Sequence, residues 1–280
     1  MAALVWQCGR FQLDLSRPRV MGIVNVTPDS FSDGGLYQQA SAAIHHAERL
    51  LHEGADIIDL GAESSRPGAE SLSVEEEWAR LAPVLTPIVA LGKPVSVDTV
   101  KPDIMRRALE QGASIINDIQ AFRATGAVDA VADSDCGLCL MHMQGKPRTM
   151  QAQPHYEDVV QEVHSFLRQR AQALQQAGIA RTRLCLDPGF GFGKRPEHNL
   201  ALLQATAQLV QDGYPWLVGV SRKSMIAYYT GKPDSTPPER VAGSVAAALY
   251  AVEQGAHLVR VHDVRETVEA LTLWQALTNR

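Results

Sequence analysis

A set of polar residues recurs along this chain at the ends of short aliphatic runs: Asn25, Asp59, Asp98, Asn117, His142, Asp187, Arg260 and His262, with Lys223 just past one more such run. Any one of them reads plainly, because an Asp or Asn after a strand commonly caps the next helix. A ring of them builds a pocket. Asp98, Asn117 and Asp187 supply carboxylate and amide groups that suit the edge of a planar heterocycle with adjacent N–H donors beside a carbonyl. Lys223, flanked by Ser221, Arg222 and Ser224, is a compact donor, and the planar guanidinium of Arg260 can stack on a ring face. Arg66, Arg260 and His262 bring positive charge near Asn25, which describes an anion site for phosphate together with a metal ion. A Schiff-base role for Lys223 is the competing enzyme chemistry. Against it stands the loop Asp187-Pro-Gly-Phe-Gly-Phe-Gly-Lys194, whose rigid turn and aromatic walls suit a flat ligand. Its glycines lack the spacing and the Lys-Ser/Thr pair of a nucleotide P-loop.

These residues need elements that bring them to one end of a fold. Gly54-Ala-Asp-Ile-Ile-Asp59, Gly112-Ala-Ser-Ile-Ile-Asn117 and Gly255-Ala-His-Leu-Val-Arg260 are near-copies. In each, a glycine suits the left-handed position that stops a helix, an aliphatic pair suits a strand covered on both faces, and a polar residue follows. Further runs at 20–25, 94–98, 137–142, 183–187 and 216–221 bring the strands to eight. Helical patterns lie between them, among them 42–53, 101–111, 156–177, 199–211 and 238–253. Eight alternating strands and helices predict a (β/α)8 TIM barrel with its active site at the C-terminal ends of the strands; 280 residues suit such a barrel. An open doubly wound sheet is the alternative.

A hydrophobic content of 45% and a charged content of 20% describe a globular domain with a sizeable core, and a net charge of −5 argues against a nucleic-acid partner. No apolar run reaches membrane-spanning length, and residues 1–11 lack a signal-like hydrophobic stretch, so the expectation is a cytoplasmic protein without a membrane partner. Cys8, Cys136, Cys139 and Cys185 do not form a disulfide framework. The Cys136-Gly-Leu-Cys139 spacing would point two thiols to opposite faces of a strand, which counts against zinc. No linker interrupts the chain, so residues 1–280 are expected to form one domain, with 1–19 as an N-terminal extension. The longest irregular stretches, 27–37, 63–73 and 144–155, all follow predicted strands, where loops of that length are usually functional.

The strings Asn25-Val-Thr-Pro-Asp-Ser-Phe-Ser-Asp-Gly-Gly35, Glu63-Ser-Ser-Arg-Pro-Gly68, His142 to Met150, Asp187 to Lys194, Ser221-Arg-Lys-Ser224 and Arg260-Val-His262 together resemble the signature segments of the bacterial dihydropteroate synthase family. The resemblance implies condensation of 6-hydroxymethyl-7,8-dihydropterin pyrophosphate with p-aminobenzoate to 7,8-dihydropteroate and pyrophosphate, a step of folate biosynthesis and a target of sulfonamides. It implies that Asp98, Asn117, Asp187, Lys223 and Arg260 hold the pterin. Asn25, Arg260 and His262 would hold pyrophosphate, with Asn25 also a ligand of Mg2+. Phe31, Ser65, Arg66, Pro67, Phe192, Lys223 and Ser224 would surround p-aminobenzoate, and Asp98, Asp187, Lys223, Arg260 and His262 would carry the catalysis. Asp29 and Asp33 either assist the magnesium or cap turns. Ser65 stands where many members carry threonine. A homodimer is implied, with 245–250 and 271–277 as the candidate face. A pterin-dependent methyltransferase and a non-catalytic pterin-binding paralogue are the alternative functions.

Overall fold

Gly54, Gly112 and Gly255 have φ of +104°, +92° and +98°, and each ends a helix in the same way. The residue after the glycine donates its N–H back five positions, Ala55 to Leu50, Ala113 to Ala108 and Ala256 to Ala251. This satisfies a carbonyl that the helix end would otherwise leave free. The next N–H reaches an already formed strand: Asp56 donates to Val20, Ser114 to Val95 and His257 to Trp216. Each string is therefore a stop and a launch in one unit. Gly178 with Ile179, whose N–H returns to Leu174, is a further copy that the sequence strings did not reveal.

The computed structural model describes residues 4–26, 36–64, 71–145 and 149–278, apart from the side chains of Leu36 and Tyr37. An antiparallel hairpin comes first, β1 (Val5–Cys8) with β2 (Phe11–Asp14). Eight parallel strands follow: β3 (Arg19–Asn25), β4 (Ile57–Gly61), β5 (Val95–Asp98), β6 (Ile115–Asp118), β7 (Gly137–Met141), β8 (Leu184–Asp187), β9 (Leu217–Val218) and β10 (Leu258–Val261). Their order is β8-β7-β6-β5-β4-β3-β10-β9. The ring closes between β8 and β9, where Leu186 bridges Trp216 and its N–H meets the Pro215 carbonyl at 2.9 Å. The helices are α1 (Leu36–His52), α2 (Val74–Val89), α3 (Pro102–Glu110), α4 (Ala127–Ala132), α5 (Val159–Gln176), α6 (Pro196–Gln204), α7 (Thr206–Leu209), α8 (Ser224–Tyr229), α9 (Val241–Glu253) and α10 (Val264–Thr278). This is the α/β barrel that the alternating pattern predicts.

Alternation along the strands divides the apolar residues into two cores. Outward residues such as Ile58, Leu60, Val95, Val97, Ile116, Leu138, Leu140, Leu186 and Val259 pack under the helices. Inward residues Met21, Ile57, Ile115, Cys139, Cys185, Leu217 and Leu258 fill the bottom of the barrel. Cys136 belongs to the outer core and Cys139 to the inner one, on opposite faces as their spacing requires.

The N-terminal hairpin completes that inner core. Trp6, Cys8, Leu13 and Leu15 cover the open bottom of the ring, and the Trp6 indole N–H donates to the Arg183 carbonyl at 2.8 Å. Gly137 makes room for this plug, because a Cβ there would lie 2.7 Å from Cys8 Sγ. Two predicted spans differ from the structure. The pattern over 199–211 divides at Ala205 into α6 and α7, and only Leu217–Val218 of the run 216–221 keeps ladder geometry, since the chain then turns to place Ser221 and Lys223.

Candidate active site

The same alternation that fills the barrel bottom with carbon points polar groups inward at its top. Asp59 on β4, Asp98 on β5, Asn117 on β6, Asp187 on β8 and Arg260 on β10 all share the inward parity of the lower core, and Asp98 sits opposite Asn117 in the ladder. Arg260 is the hub. Its Nε and Nη2 reach Asp59 Oδ2 at 2.7 and 2.6 Å, and Nη2 reaches Asp98 Oδ2 at 3.0 Å. Burial alone would lower the Arg260 pKa, but Asp59 and Asp98 outweigh it and hold the guanidinium above its ordinary value.

Burial also sets the carboxylates. Asp98 is pushed up to about 7 by desolvation, against the pull of Arg260. Asp187 is raised to about 6 by burial, moderated by the Gly189 N–H at 2.8 Å and by Arg260 and Lys223. Burial and the neighbouring Arg260 bring Lys223 down to about 8. These groups therefore change charge near neutrality, as acid and base positions of active sites do. The buried Asn117 Oδ1 has no hydrogen-bond partner among the described residues and is available to a donor on a ligand.

An apolar wall stands beside the polar ring. Ile119, Met141, Met143, Met150 and Phe192 form a separate buried cluster, and the Lys223 ammonium lies 4.4 Å from the centre of the Phe192 ring. Of the two phenylalanines in the 187–194 loop, Phe190 belongs to the outer core and Phe192 to this wall. Ser224, first residue of α8, lines a neighbouring groove of about 760 Å³ with Gln151, His155 and Arg195; this groove lies beside the ring rather than over it.

Lys223 owes its place to Arg222, which has φ +59°, a conformation non-glycine residues rarely adopt. Its N–H donates to Ser244 Oγ at 2.8 Å, its carbonyl accepts from Arg240, and its guanidinium forms a fork with Asp263 at 3.0 and 2.5 Å. Asn25, at the end of β3, is half-buried, with its Oδ1 near the Gly61 position opposite it.

Two expectations about charge and direction are corrected. His262 was read as a positive group. The Ser221 hydroxyl accepts the His262 backbone N–H at 3.1 Å and lies 3.0 Å from Nδ1, while burial beside Arg260 and Arg222 lowers the ring to about 3. This shift favours the uncharged imidazole near neutral pH. His142 was placed among the pocket groups. Instead it is buried against Lys194, whose Nζ meets its Nδ1 at 2.9 Å, and its own pKa falls to about 3. Asp59 as buried counterion of Arg260, the Met141 and Ile119 wall and the Arg222–Asp263 fork escaped the sequence reading; only the inward parity of residues 59 and 141 hinted at the first two. Phe31, Ser65, Arg66 and Pro67 lie outside the described residues, as do Asp29 and Asp33.

The family described as pterin binding enzyme matches residues 21–262. A dihydropteroate synthase of Neisseria meningitidis serogroup C is 54% identical over 281 residues, covering 99% of each chain. The structure of the Xanthomonas albilineans dihydropteroate synthase with 4-aminobenzoic acid superimposes with a TM-score of 0.94 at 52% identity, covering 100% of both chains. That of the Burkholderia cenocepacia dihydropteroate synthase complexed with 7,8-dihydropteroate gives 0.90 at 50% identity, covering 99% of this chain and 97% of the other.

Proposed function

Because the chain belongs to the dihydropteroate synthase family of pterin-binding enzymes, we infer that its strand-tip pocket joins 6-hydroxymethyl-7,8-dihydropterin pyrophosphate to p-aminobenzoate, releasing pyrophosphate and 7,8-dihydropteroate. The observation that carries this reading is the convergence of Asp98, Asn117, Asp187 and Lys223 around Arg260 beside the Met141 and Phe192 wall. Such a pocket matches a flat ring with hydrogen-bonding edges and apolar faces. In this reading Asp98, Asn117, Asp187 and Lys223 bind the pterin edge and Arg260 its face. Arg260, His262 and Asn25 receive the pyrophosphate. Phe192, Lys223 and Ser224, with Phe31, Ser65, Arg66 and Pro67, form the p-aminobenzoate site.

The reaction needs no covalent nucleophile. The C–O bond to pyrophosphate breaks with its electron pair leaving on oxygen, stabilised by Arg260 and His262. The positive charge left on the methylene spreads into the electron-rich pterin near Asp187 and Asp98. The amine of p-aminobenzoate then forms the C–N bond and releases its proton to solvent. Magnesium belongs to the same reading, with Asn25 as its protein ligand. Among the described residues no group of three or more His, Cys, Asp or Glu side chains could hold a metal ion. A hard cation of this kind keeps several waters and is bound together with substrate phosphates. When bound, such an ion neutralises charge on the leaving group.

Exposed apolar residues support a homodimer through the last helices: Tyr250 on α9, and Leu273 and Leu277 on α10 at 62% and 75% exposure. No described helix is long and apolar enough to cross a membrane; a cytoplasmic location is part of the same reading. The test is pyrophosphate release by the purified protein with the pterin pyrophosphate and Mg2+, with and without p-aminobenzoate, alongside detection of dihydropteroate. Matched release and product support the synthase; tight pterin binding without product would leave the pocket and overturn the reaction.

A further inference from the structure

Lys194 is 3% exposed, yet its ammonium has no carboxylate within reach of a hydrogen bond among the described residues. Its Nζ lies 2.9 Å from His142 Nδ1, 3.3 Å from the His142 carbonyl, 2.9 Å from the Gly189 carbonyl and 3.1 Å from that of Phe192. One buried amino group, brought down to about 7 by its burial, thus gathers acceptors from two loops, the one after β7 and the one after β8. The backbones of these loops run too close for ordinary residues: a Cβ at Gly189 would fall on the His142 carbonyl oxygen, and one at Gly193 would lie 2.5 Å from the Gln144 carbonyl oxygen. Further ties join the same two loops, the Tyr156 hydroxyl to the Gly193 carbonyl at 2.8 Å and the Gln151 amide to the Gly191 carbonyl. The product of this packing is the position of Phe192, whose carbonyl Lys194 holds and whose ring faces Lys223.

We propose that Lys194, oriented by His142, is a positioning residue for the aryl-amine site: its ammonium holds the 189–192 turn so that the Phe192 ring forms one wall for the second substrate. The proposal rests on the reading of Phe192 and Lys223 as part of that site. An apolar side chain in its place would leave the His142 and Phe192 carbonyls buried without a donor and the Gly189 carbonyl with only the Phe192 N–H, which favours a rearranged turn. The pterin edge groups Asp98 and Asn117 lie on β5 and β6, away from the turn, while Asp187 meets it only through the Gly189 N–H, so pterin binding suffers less than aryl-amine binding.

The experiment compares wild type with Lys194→Met and His142→Leu, measuring KM for p-aminobenzoate, kcat, and the affinity for the pterin pyrophosphate by calorimetry. The expected result is a KM for p-aminobenzoate raised at least about tenfold in both variants, with a clearly smaller loss of pterin affinity. His142→Leu removes one acceptor and retains the ammonium with its carbonyls, so it reports even where Lys194→Met does not fold. Unchanged KM in a folded variant, or equal loss for both substrates, would overturn the proposal. A wild-type protein that makes no dihydropteroate would instead overturn the function on which it rests.

Discussion

Arg260 and Asp59 are joined through a single oxygen: two guanidinium nitrogens converge on Asp59 Oδ2, while Asp59 Oδ1 has no partner among the described residues. Asp59 is fully buried, whereas Arg260 retains 22% exposure toward the pocket. The carboxylate therefore acts on a ligand through the arginine it aims. Asp59→Asn should leave Arg260 short of a counterion, lowering kcat/KM at least about tenfold and stability by about 3 kcal/mol, the scale for a broken buried pair. Steady-state kinetics and urea unfolding check both parts.

Arg260 itself has two assigned contacts. Arg260→Ala should weaken pterin and pyrophosphate affinity together, each by at least about tenfold. Calorimetric titration with pyrophosphate alone is the discriminating measurement, since unchanged pyrophosphate affinity would move the anion site elsewhere.

Pterin affinity should follow a bell with pH. Asp187 and Asp98, raised to about 6 and about 7, must be ionised to accept ring N–H groups, so binding weakens as pH falls through those values. Lys223, lowered to about 8, must be protonated to donate fully, so binding also weakens as pH rises through 8. Titration from pH 5 to 9 checks the shape, and Asp98→Asn should remove the inflection near 7. Asp187→Asn should lose pterin binding with its circular dichroism unchanged; retained affinity would cancel the role given to Asp187.

Lys101 bridges two carboxylates, Glu63 at the end of the β4 segment and Glu77 on α2, the second at 2.5 Å and 1% exposed. Lys101→Met should destabilise the fold by about 3 kcal/mol because it strands the buried Glu77 charge. Adding Glu77→Gln should recover part of that loss. Denaturant midpoints of the single and double variants decide it.

The barrel was legible because two periodicities and one motif agreed. Strand runs with inward parity named Asp98, Asn117, Asp187 and Arg260, and the Gly-Ala pairs marked where helices stop. What escaped was contact that parity cannot express. Nothing in the letters distinguishes an Asp that meets a ligand from Asp59, which sits one inward position deeper and serves Arg260. The lowered pKa of His262 depends on its burial and on Arg260 and Arg222 beside it, and the direction of His142 depends on Lys194. The β1–β2 hairpin was passed over because its four-residue strands carry too few alternations to announce themselves. α2 hid behind Pro83 and Pro87, which the outer helix layer tolerates.

The hairpin plug also sets a schedule for the chain's assembly. Trp6 donates its hydrogen bond to a residue 177 positions later, and its apolar neighbours Cys139, Cys185, Leu217 and Leu258 come from the middle of the sequence onward. The hairpin segment is synthesised before the strands it packs against and finds its berth late. Until the later strands emerge, an indole and a thiol remain without their pocket, a long-range closure of the kind that slows folding. Early exposure of this segment during synthesis, rather than any defect of the finished barrel, would then be the point at which a chaperone has most to hold.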